Sequence, residues 1–397
     1  MKKRIFLSVP GLICCAGKDR NELHNSCLSG YQGGFDLREL PGGGSFPTGR
    51  IPPELLDNSG GTRIIRIIDK ALEQLGPQIE SAISAYGPEK IGVCLGSCDN
   101  GSEASLAAHQ ALLEKGAFPK DYSLGFQSAA FPSEYIARKF GLSGPVFTVA
   151  TACASGASAI IRGAELIQAG ICSAVIAGGA DIVSETVLAG FHSLEALSDK
   201  LCNPFSKNRK GINLGEGAAF FLLGTEENSA VELLGAGESA DAFHMTAPGT
   251  DGAGPAKAMT EALFCAGLKP GQVGYVNLHG TGTVLNDRAE AMAMKMVFKS
   301  SLPPASSTKP ITGHTLGAAG ALEAAICWMV LTEKRGLPVH CWDGAEDREL
   351  SYVPGPAEKP KNPYVQPAEA PPSICMSNSF AFGGCNVSLI LGRRAND

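Results

Sequence analysis

Two stretches of this chain repeat one plan. "PVFTVATACASGASAIIRGAELIQAG" runs from an apolar strand through a turn of small residues into a helix, and about 160 residues later "PASSTKPITGHTLGAAGALEAAICWMV" does the same. Each turn carries one chemically active residue, Cys153 in the first and His314 in the second. Such a unit cannot bury its own apolar face, so two copies predict two similar halves packed about a pseudo-twofold axis, with the turns brought together. The alternation extends along the chain. Apolar runs such as "KIGVCLGS", "SAVIAGGAD", "AAFFLLGT", "VELLGAGE", "SICMSNSF" and "NVSLILGR" are separated by stretches such as "TRIIRIIDKALEQLG" and "AKAMTEALFCAG", whose apolar residues recur every three or four positions. Strands alternating with amphipathic helices predict an α/β protein with a parallel or mixed sheet covered on both faces.

At 397 residues the chain can form two domains or one large fused one. Its formal charge of −6 argues against a general nucleic-acid binder, so an acidic partner must be met by a local basic patch. No apolar run is long enough to span a bilayer, so no membrane helix is expected. The start "MKKRIFLSVPG" loosely mimics a signal peptide, but its apolar run is broken by Pro10 and Gly11 and reads as a strand and turn. The thirteen cysteines are scattered, mostly inside apolar segments, which suits a reducing cytoplasm better than a disulfide framework. "CLGSC" at 94–98 has no matching second pair, so it reads as strand packing and no metal is expected. Residues 10–60 and 336–373 are rich in Gly and Pro and read as irregular surface excursions.

Cys153 stands among Ala152, Ala154, Ser155 and Gly156 at a helix start. A thiol acts as a nucleophile only as thiolate, and a helix N-terminus favours that form. Small neighbours permit a sharp turn and close approach of substrate, and the N–H groups there can hold an oxyanion. Of seven histidines, His279 ("YVNLHGTGT") and His314 ("KPITGHTLGAAG") lie in small-residue turns after apolar strands, whereas His24 and His340 sit in plain helix or loop contexts. A Cys-His-His set is the expected reacting centre.

"TACASGAS", "NLHGTGT", "STKPITGHTLGAAGALE" and "SNSFAFGGCN" occur in the order found in the elongating β-ketoacyl-acyl carrier protein synthases of the thiolase superfamily, which the chain resembles over nearly its whole length. The resemblance implies a thiolase-like α/β fold of two duplicated halves, residues 1–227 and 228–397, in a five-layer α-β-α-β-α arrangement. It implies that Cys153 takes an acyl group from carrier-protein phosphopantetheine. His279 and His314 then assist decarboxylation of malonyl-carrier protein, and the resulting enolate extends the acyl chain by two carbons. No cofactor is required. Lys309 matches the family's active-site lysine and Glu323 its buried acidic partner. Phe382 matches a gating phenylalanine whose N–H completes the oxyanion hole. Thr281 and Thr283 match hydroxyls that bind the pantetheine arm, and Asn277, Glu323, Ser377 and Asn378 match residues that hold a structural monovalent cation in some relatives. Ala381 and Cys385 depart from the usual glycine and threonine, which bears on acyl-chain gating.

A basic rim for an acidic carrier protein is expected from Arg63 and Arg66 with Lys200, Lys207, Arg209 and Lys210. The resemblance further implies a homodimer or a heterodimer with a related subunit, a cytoplasmic location, and no nucleic-acid or membrane partner. The segment "CNPFSKNRKGINLGEGAAFFLL" is nearer to condensing enzymes of bacterial aryl-polyene clusters than to housekeeping fatty-acid synthases. Two other readings stand beside this one. A thiolase would show a second catalytic cysteine and a GHP-type turn, where this chain has "GHTLG". A non-catalytic chain-length partner subunit would lack the nucleophile that Cys153 supplies.

Overall fold

The computed structural model describes residues 3–40, 43–56, 61–99, 101–225, 229–333, 335–350 and 372–393. Its strands are β1 (Phe6–Leu7), β2 (Gly11–Cys14), β3 (Asp36–Glu39), β4 (Ser45–Thr48), β5 (Ile91–Gly96), β6 (Val146–Val149), β7 (Ala174–Asp181) and β8 (Gly217–Gly224). Then follow β9 (Val231–Ala240), β10 (Tyr275–Asn277), β11 (Ala305–Ser306), β12 (Ile374–Phe380) and β13 (Cys385–Arg393). Helices α1 (Arg20–Ser29), α2 (Arg63–Glu73), α3 (Gly76–Tyr86), α4 (Ser102–Lys115), α5 (Phe131–Phe140), α6 (Ser155–Gln168) and α7 (Glu185–Ser193) precede β8. After β9 come α8 (Ala253–Ala266), α9 (Val284–Phe298), the single turn α10 (Lys309–Thr312) and α11 (Ala319–Thr332).

The duplication is explicit in the strand order. The main sheet reads β6-β5-β7-β8-β1 in one half and β11-β10-β12-β13-β9 in the other. Numbered within its own half, each set runs 3-2-4-5-1. Pairing sense agrees at every step: β5–β6 and β10–β11 are parallel, β5–β7 and β10–β12 parallel, β7–β8 and β12–β13 antiparallel. β1 pairs antiparallel with both β8 and β9 and so joins the halves. The anticipated boundary between residues 227 and 228 lies outside the described residues.

Five layers follow from how the strands alternate. In β7, Val175 and Ala177 face the central cluster and Ile176 and Ala180 the outer one, as successive side chains on a strand must. In the second half Cys375, Val387, Leu389 and Leu391 point to the centre, Met376 and Ile390 outward. α2, α3 and α5 cover the first outer face and α8 and α9 the second. Between the two halves of the sheet lie α6 and α11, packed on each other. From Ala319 to Leu331 every residue of α11 is buried, as expected of a helix that is apolar on all sides.

Glycine sets how closely α6 and α11 can cross. A Cβ on Gly156 would lie 2.8 Å from the Gly317 carbonyl oxygen, and one on Gly320 would lie 2.8 Å from Ala157 Cβ and 2.9 Å from its backbone nitrogen. Gly320→Ala is therefore expected to destabilise the protein by about 1–3 kcal/mol, read as a lowered Tm.

The stretch 10–60 is more ordered than its Gly and Pro content suggests. β2 pairs with β8, α1 is capped by the Asp19 side chain, and β3 and β4 form a hairpin. Among residues 336–350 there is no helix, and 351–371 lie outside the described residues.

Candidate active site

Cys153 is held by a strained turn. Between β6 and α6 the chain makes one 3-10 turn over Ala152–Ala154, with Ala152 at φ 49°, a region costly for a residue with a side chain. The Ser155 hydroxyl closes the turn, donating to the Ala152 carbonyl (2.6 Å) and accepting from the Thr151 N–H (2.9 Å). The second half repeats the device before α11, where Leu316 stands at φ 51°. Cys153 is thereby 5% exposed, with its sulfur 3.0 Å from His314 Nε2.

The two imidazoles arrive from opposite sides. His279 follows β10, and the buried Glu290 of α9 accepts the N–H groups of His279 (2.9 Å) and Gly280 (2.7 Å). His314 is clamped by the strand-like segment before β8: its N–H donates to the Asn213 carbonyl (2.7 Å) and its carbonyl accepts from the Gly215 N–H (3.0 Å). The rings stand edge to face at 5.4 Å between centroids. One ligand atom from each of Cys153, His279 and His314 falls within 4.8 Å of the others. This geometry could suit a soft metal, but Lys309 Nζ lies 3.3 Å from His279 Nδ1, so a bound cation would face an ammonium group next to one of its ligands.

Lys309, 1% exposed, also contacts Glu323 Oε1 at 2.5 Å. Because the ammonium donates to His279 Nδ1, the proton of the neutral ring sits on Nε2, toward the site. Burial, then Lys309, then His314 push the His279 pKa well below the usual histidine value, and burial and Lys309 do the same for His314. Both rings are neutral near pH 7. Burial pushes Glu323 up to about 7, against the downward pull of Lys309. Burial likewise pushes the Cys153 thiol up to about 11, opposed by Lys309 and by a hydrogen bond from the Phe382 N–H. Desolvation thus outweighs the opposing influences, and Cys153 rests as a thiol. Its alkylation by iodoacetamide is expected to rise about tenfold per pH unit from 7 to 10; a plateau below pH 8 would contradict this.

Phe382 stacks on Phe191 at 5.9 Å, and Phe380 meets the His279 ring at 6.3 Å. Ala381 is extended, at φ −93° and ψ 158°. Thr281 and Thr283 share a hydroxyl hydrogen bond of 3.1 Å in the turn that follows His279. Behind the site, Asn277 Oδ1, Ser377 Oγ and Glu323 Oε2 are buried without a hydrogen-bond partner, and Asn277 and Ser377 are register partners on β10 and β12. Asn378 differs: its amide donates to Glu290 and its oxygen accepts from Ser388.

Two of the expected rim cations are not on the rim. Arg63 is folded against the fully buried Glu216 and the Ile51 carbonyl, its side chain 9% exposed. Arg209, 8% exposed, pairs with Asp347 at 2.5 Å and bonds the Ser206 and Val284 carbonyls. Their charges are spent on buried or enclosed carboxylates. Arg66 is half-buried, and Lys200, Lys207 and Lys210 are exposed. The three lysines lie on the segment that the Gly211 N–H ties to the Gly282 carbonyl (2.9 Å), beside the Thr281–Thr283 turn. Glu290 and Asp287, which accept the N–H groups of His279, Gly280 and Gly282, and Asn213, whose backbone carbonyl holds His314, also brace the site; the small-residue turns are the signal visible in the sequence, and these anchors are not.

Comparison with known proteins places this geometry. Residues 64–229 match the model of the beta-ketoacyl synthase N-terminal domain and residues 230–340 that of its C-terminal domain. The chain is 37% identical over 345 residues to 3-oxoacyl-[acyl-carrier-protein] synthase 2 of Vibrio cholerae, covering 82% of this chain and 80% of that one. It is 31% identical to the Staphylococcus aureus protein of the same name, covering 98% of each. Among solved structures, one described as the ketosynthase ApeO in complex with its chain length factor ApeC from Xenorhabdus doucetiae superposes with a TM-score of 0.88 at 38% identity, covering 99% of this chain and 98% of that one. The ishigamide ketosynthase/chain length factor superposes at 0.84 with 26% identity, covering all of both chains. The two domain matches run from residue 64 to 340 without a gap, and the chain belongs to the beta-ketoacyl synthase family of acyltransferases.

Proposed function

We propose that this chain is a catalytically active ketosynthase that joins a Cys153-bound acyl group to a malonyl unit, both delivered by acyl carrier protein. The observation that carries the reading is the convergence of Cys153, His279 and His314 with Lys309 behind them. As Cys153 attacks the acyl thioester, its proton passes to His314 Nε2, 3.0 Å away. The N–H groups of Cys153 and Phe382 hold the oxyanion. Collapse expels the pantetheine thiolate, which takes the proton back, and His314 is again neutral. In the second half-reaction the malonyl carboxylate leaves as CO2, and the electron pair of the broken bond enters the enolate. His279 Nε2–H donates to the enolate oxygen, with the His314 ring beside it. The enolate carbon then bonds to the acyl carbonyl carbon, and the released Cys153 thiolate takes a proton from water.

Thr281 and Thr283 line the pantetheine approach, and Lys200, Lys207 and Lys210, with Arg66, face the acidic carrier. Phe382, stacked on Phe191, gates the acyl path. Asn277 Oδ1, Ser377 Oγ and Glu323 Oε2 fit a monovalent cation, which would offset the Glu323 charge and brace β10 and β12. The substrate is a fatty or polyenoyl chain. β6 ends the sheet as an unpaired edge with Phe147 48% exposed, a surface that calls for cover; a second ketosynthase-fold chain, identical or related, supplies it. Among the described residues no helix is long and apolar enough to cross a membrane, all thirteen cysteines are unpaired, and we place the protein in the cytoplasm. Mixing the protein with acyl-carrier and malonyl-carrier proteins should yield CO2 and a β-ketoacyl carrier two carbons longer than the donor. Release of CO2 without chain extension by the wild type would refute the reading.

A further inference from the structure

His340 was unremarkable in the sequence, yet its ring joins three segments. The Ser307 N–H donates to His340 Nδ1 at 3.2 Å, and His340 Nε2–H donates to the Pro204 carbonyl at 3.1 Å. One ring serves both partners only as the neutral tautomer protonated on Nε2. The ring is partly buried, edge-on to Phe205 at 6.0 Å. Desolvation pushes its pKa down to about 4 against the pull of the Pro204 carbonyl, so this tautomer holds through the neutral range.

Ser307, fully buried, passes that restraint on. Its hydroxyl donates to the Gly280 carbonyl at 2.6 Å and accepts from the Lys309 N–H at 3.3 Å. Gly280 follows His279, and Lys309 Nζ must stay near His279 Nδ1 to fix its tautomer. The space is tight: a Cβ on Gly280 would lie 2.6 Å from Ser307 Cβ and 3.1 Å from the Phe205 ring. None of these bonds reaches the Cys153 turn or the Asn213 and Gly215 clamp on His314.

We infer that His340 is a positioning residue for malonyl decarboxylation: it pins the Ser307 amide, and through the Ser307 hydroxyl it sets the relative placement of His279 and Lys309, leaving Cys153 acylation untouched. The inference rests on the proposed function. A displacement of a few tenths of an ångström at Ser307 would lengthen the Lys309–His279 contact, and groups that orient reacting residues typically count for about tenfold to a hundredfold.

The test compares His340→Asn with His340→Gln in the full-length protein. Asparagine places an acceptor near Nδ1 and keeps the Ser307 bond; glutamine places a donor near Nε2 and keeps the Pro204 bond instead. Cys153 acylation is followed by intact mass and decarboxylation by CO2 release from malonyl-carrier protein. The expected result is acylation at the wild-type rate in both, decarboxylation within about threefold of wild type in His340→Asn, and a loss of about tenfold or more in His340→Gln. Ser307→Ala, a small change that keeps the amide, should show the same selective loss, and adding His340→Gln to it should cost little more. Wild-type decarboxylation in Ser307→Ala, or parallel loss of both half-reactions with a falling Tm, would overturn the inference. A wild type that neither acylates nor decarboxylates would instead overturn the proposed function, and this inference with it.

Discussion

Lys309→Met is expected to abolish measurable malonyl decarboxylation and to cost the fold about 3–5 kcal/mol at pH 8, because it strands a buried carboxylate. The two effects have separate origins. The ammonium fixes the His279 tautomer through its 3.3 Å contact with Nδ1, and without it the ring no longer presents Nε2–H to the enolate. It also holds Glu323, whose second oxygen has no hydrogen-bond partner. With Lys309 gone, the attraction and hydrogen bond that pull the Glu323 pKa down are lost, and the folded value rises further above the ordinary glutamate value. A carboxyl whose folded pKa is raised favours the folded state at low pH and penalises it as pH climbs past the unfolded value. Below about pH 7 the carboxyl is neutral in both folded proteins, so the stability deficit should open as pH climbs through 7 toward 8, where only the wild type can ionise Glu323 in place. Lys309→Met with Glu323→Gln should remove most of that deficit and its pH dependence without restoring decarboxylation. Denaturation at pH 5 and pH 8, with CO2 release measured alongside, checks both halves. Recovery of activity in the double variant would mean that Lys309 acts only through the fold.

Cys153→Ala should stop condensation, by on the order of 10⁴-fold or more, while sparing decarboxylation. The alanine removes the acyl acceptor but leaves His279, Lys309 and Glu323 in their contacts. The expected readout is CO2 released from malonyl-carrier protein with no β-ketoacyl product. Loss of both reactions in a folded variant would show that the sulfur itself takes part in decarboxylation.

How much of this was legible in the sequence depends on how far apart the partners lie. Cys153, His279, His314 and Lys309 sit in turns of small residues after apolar strands, a local pattern, and the repeated strand-turn-helix plan foretold the matched strand order of the halves. Arg63 looks like a rim residue in the sequence because its partner, Glu216, is 153 positions away; the pairing exists only once β8 packs under α2. Arg209 and Asp347, 138 positions apart, misled in the same way. β11, two residues long, carries no periodicity, and the ordered elements within 10–60 depend on pairing with β8 and packing beside α11. The helix start at Cys153 predicts a lowered thiol pKa, but enclosure between the two halves of the sheet reverses the sign. His340 and Glu290 matter through hydrogen bonds to backbone groups of other segments, and no spacing announces those.

The central claim is that Cys153 is the acyl acceptor. Intact-mass spectrometry of the protein incubated with an acyl-carrier protein, beside Cys153→Ala, tests it directly. The account predicts one added acyl mass on the wild type and none on the variant. An adduct that persists in Cys153→Ala, or a folded wild type that takes no acyl group from any donor, would contradict it and favour a non-catalytic partner subunit.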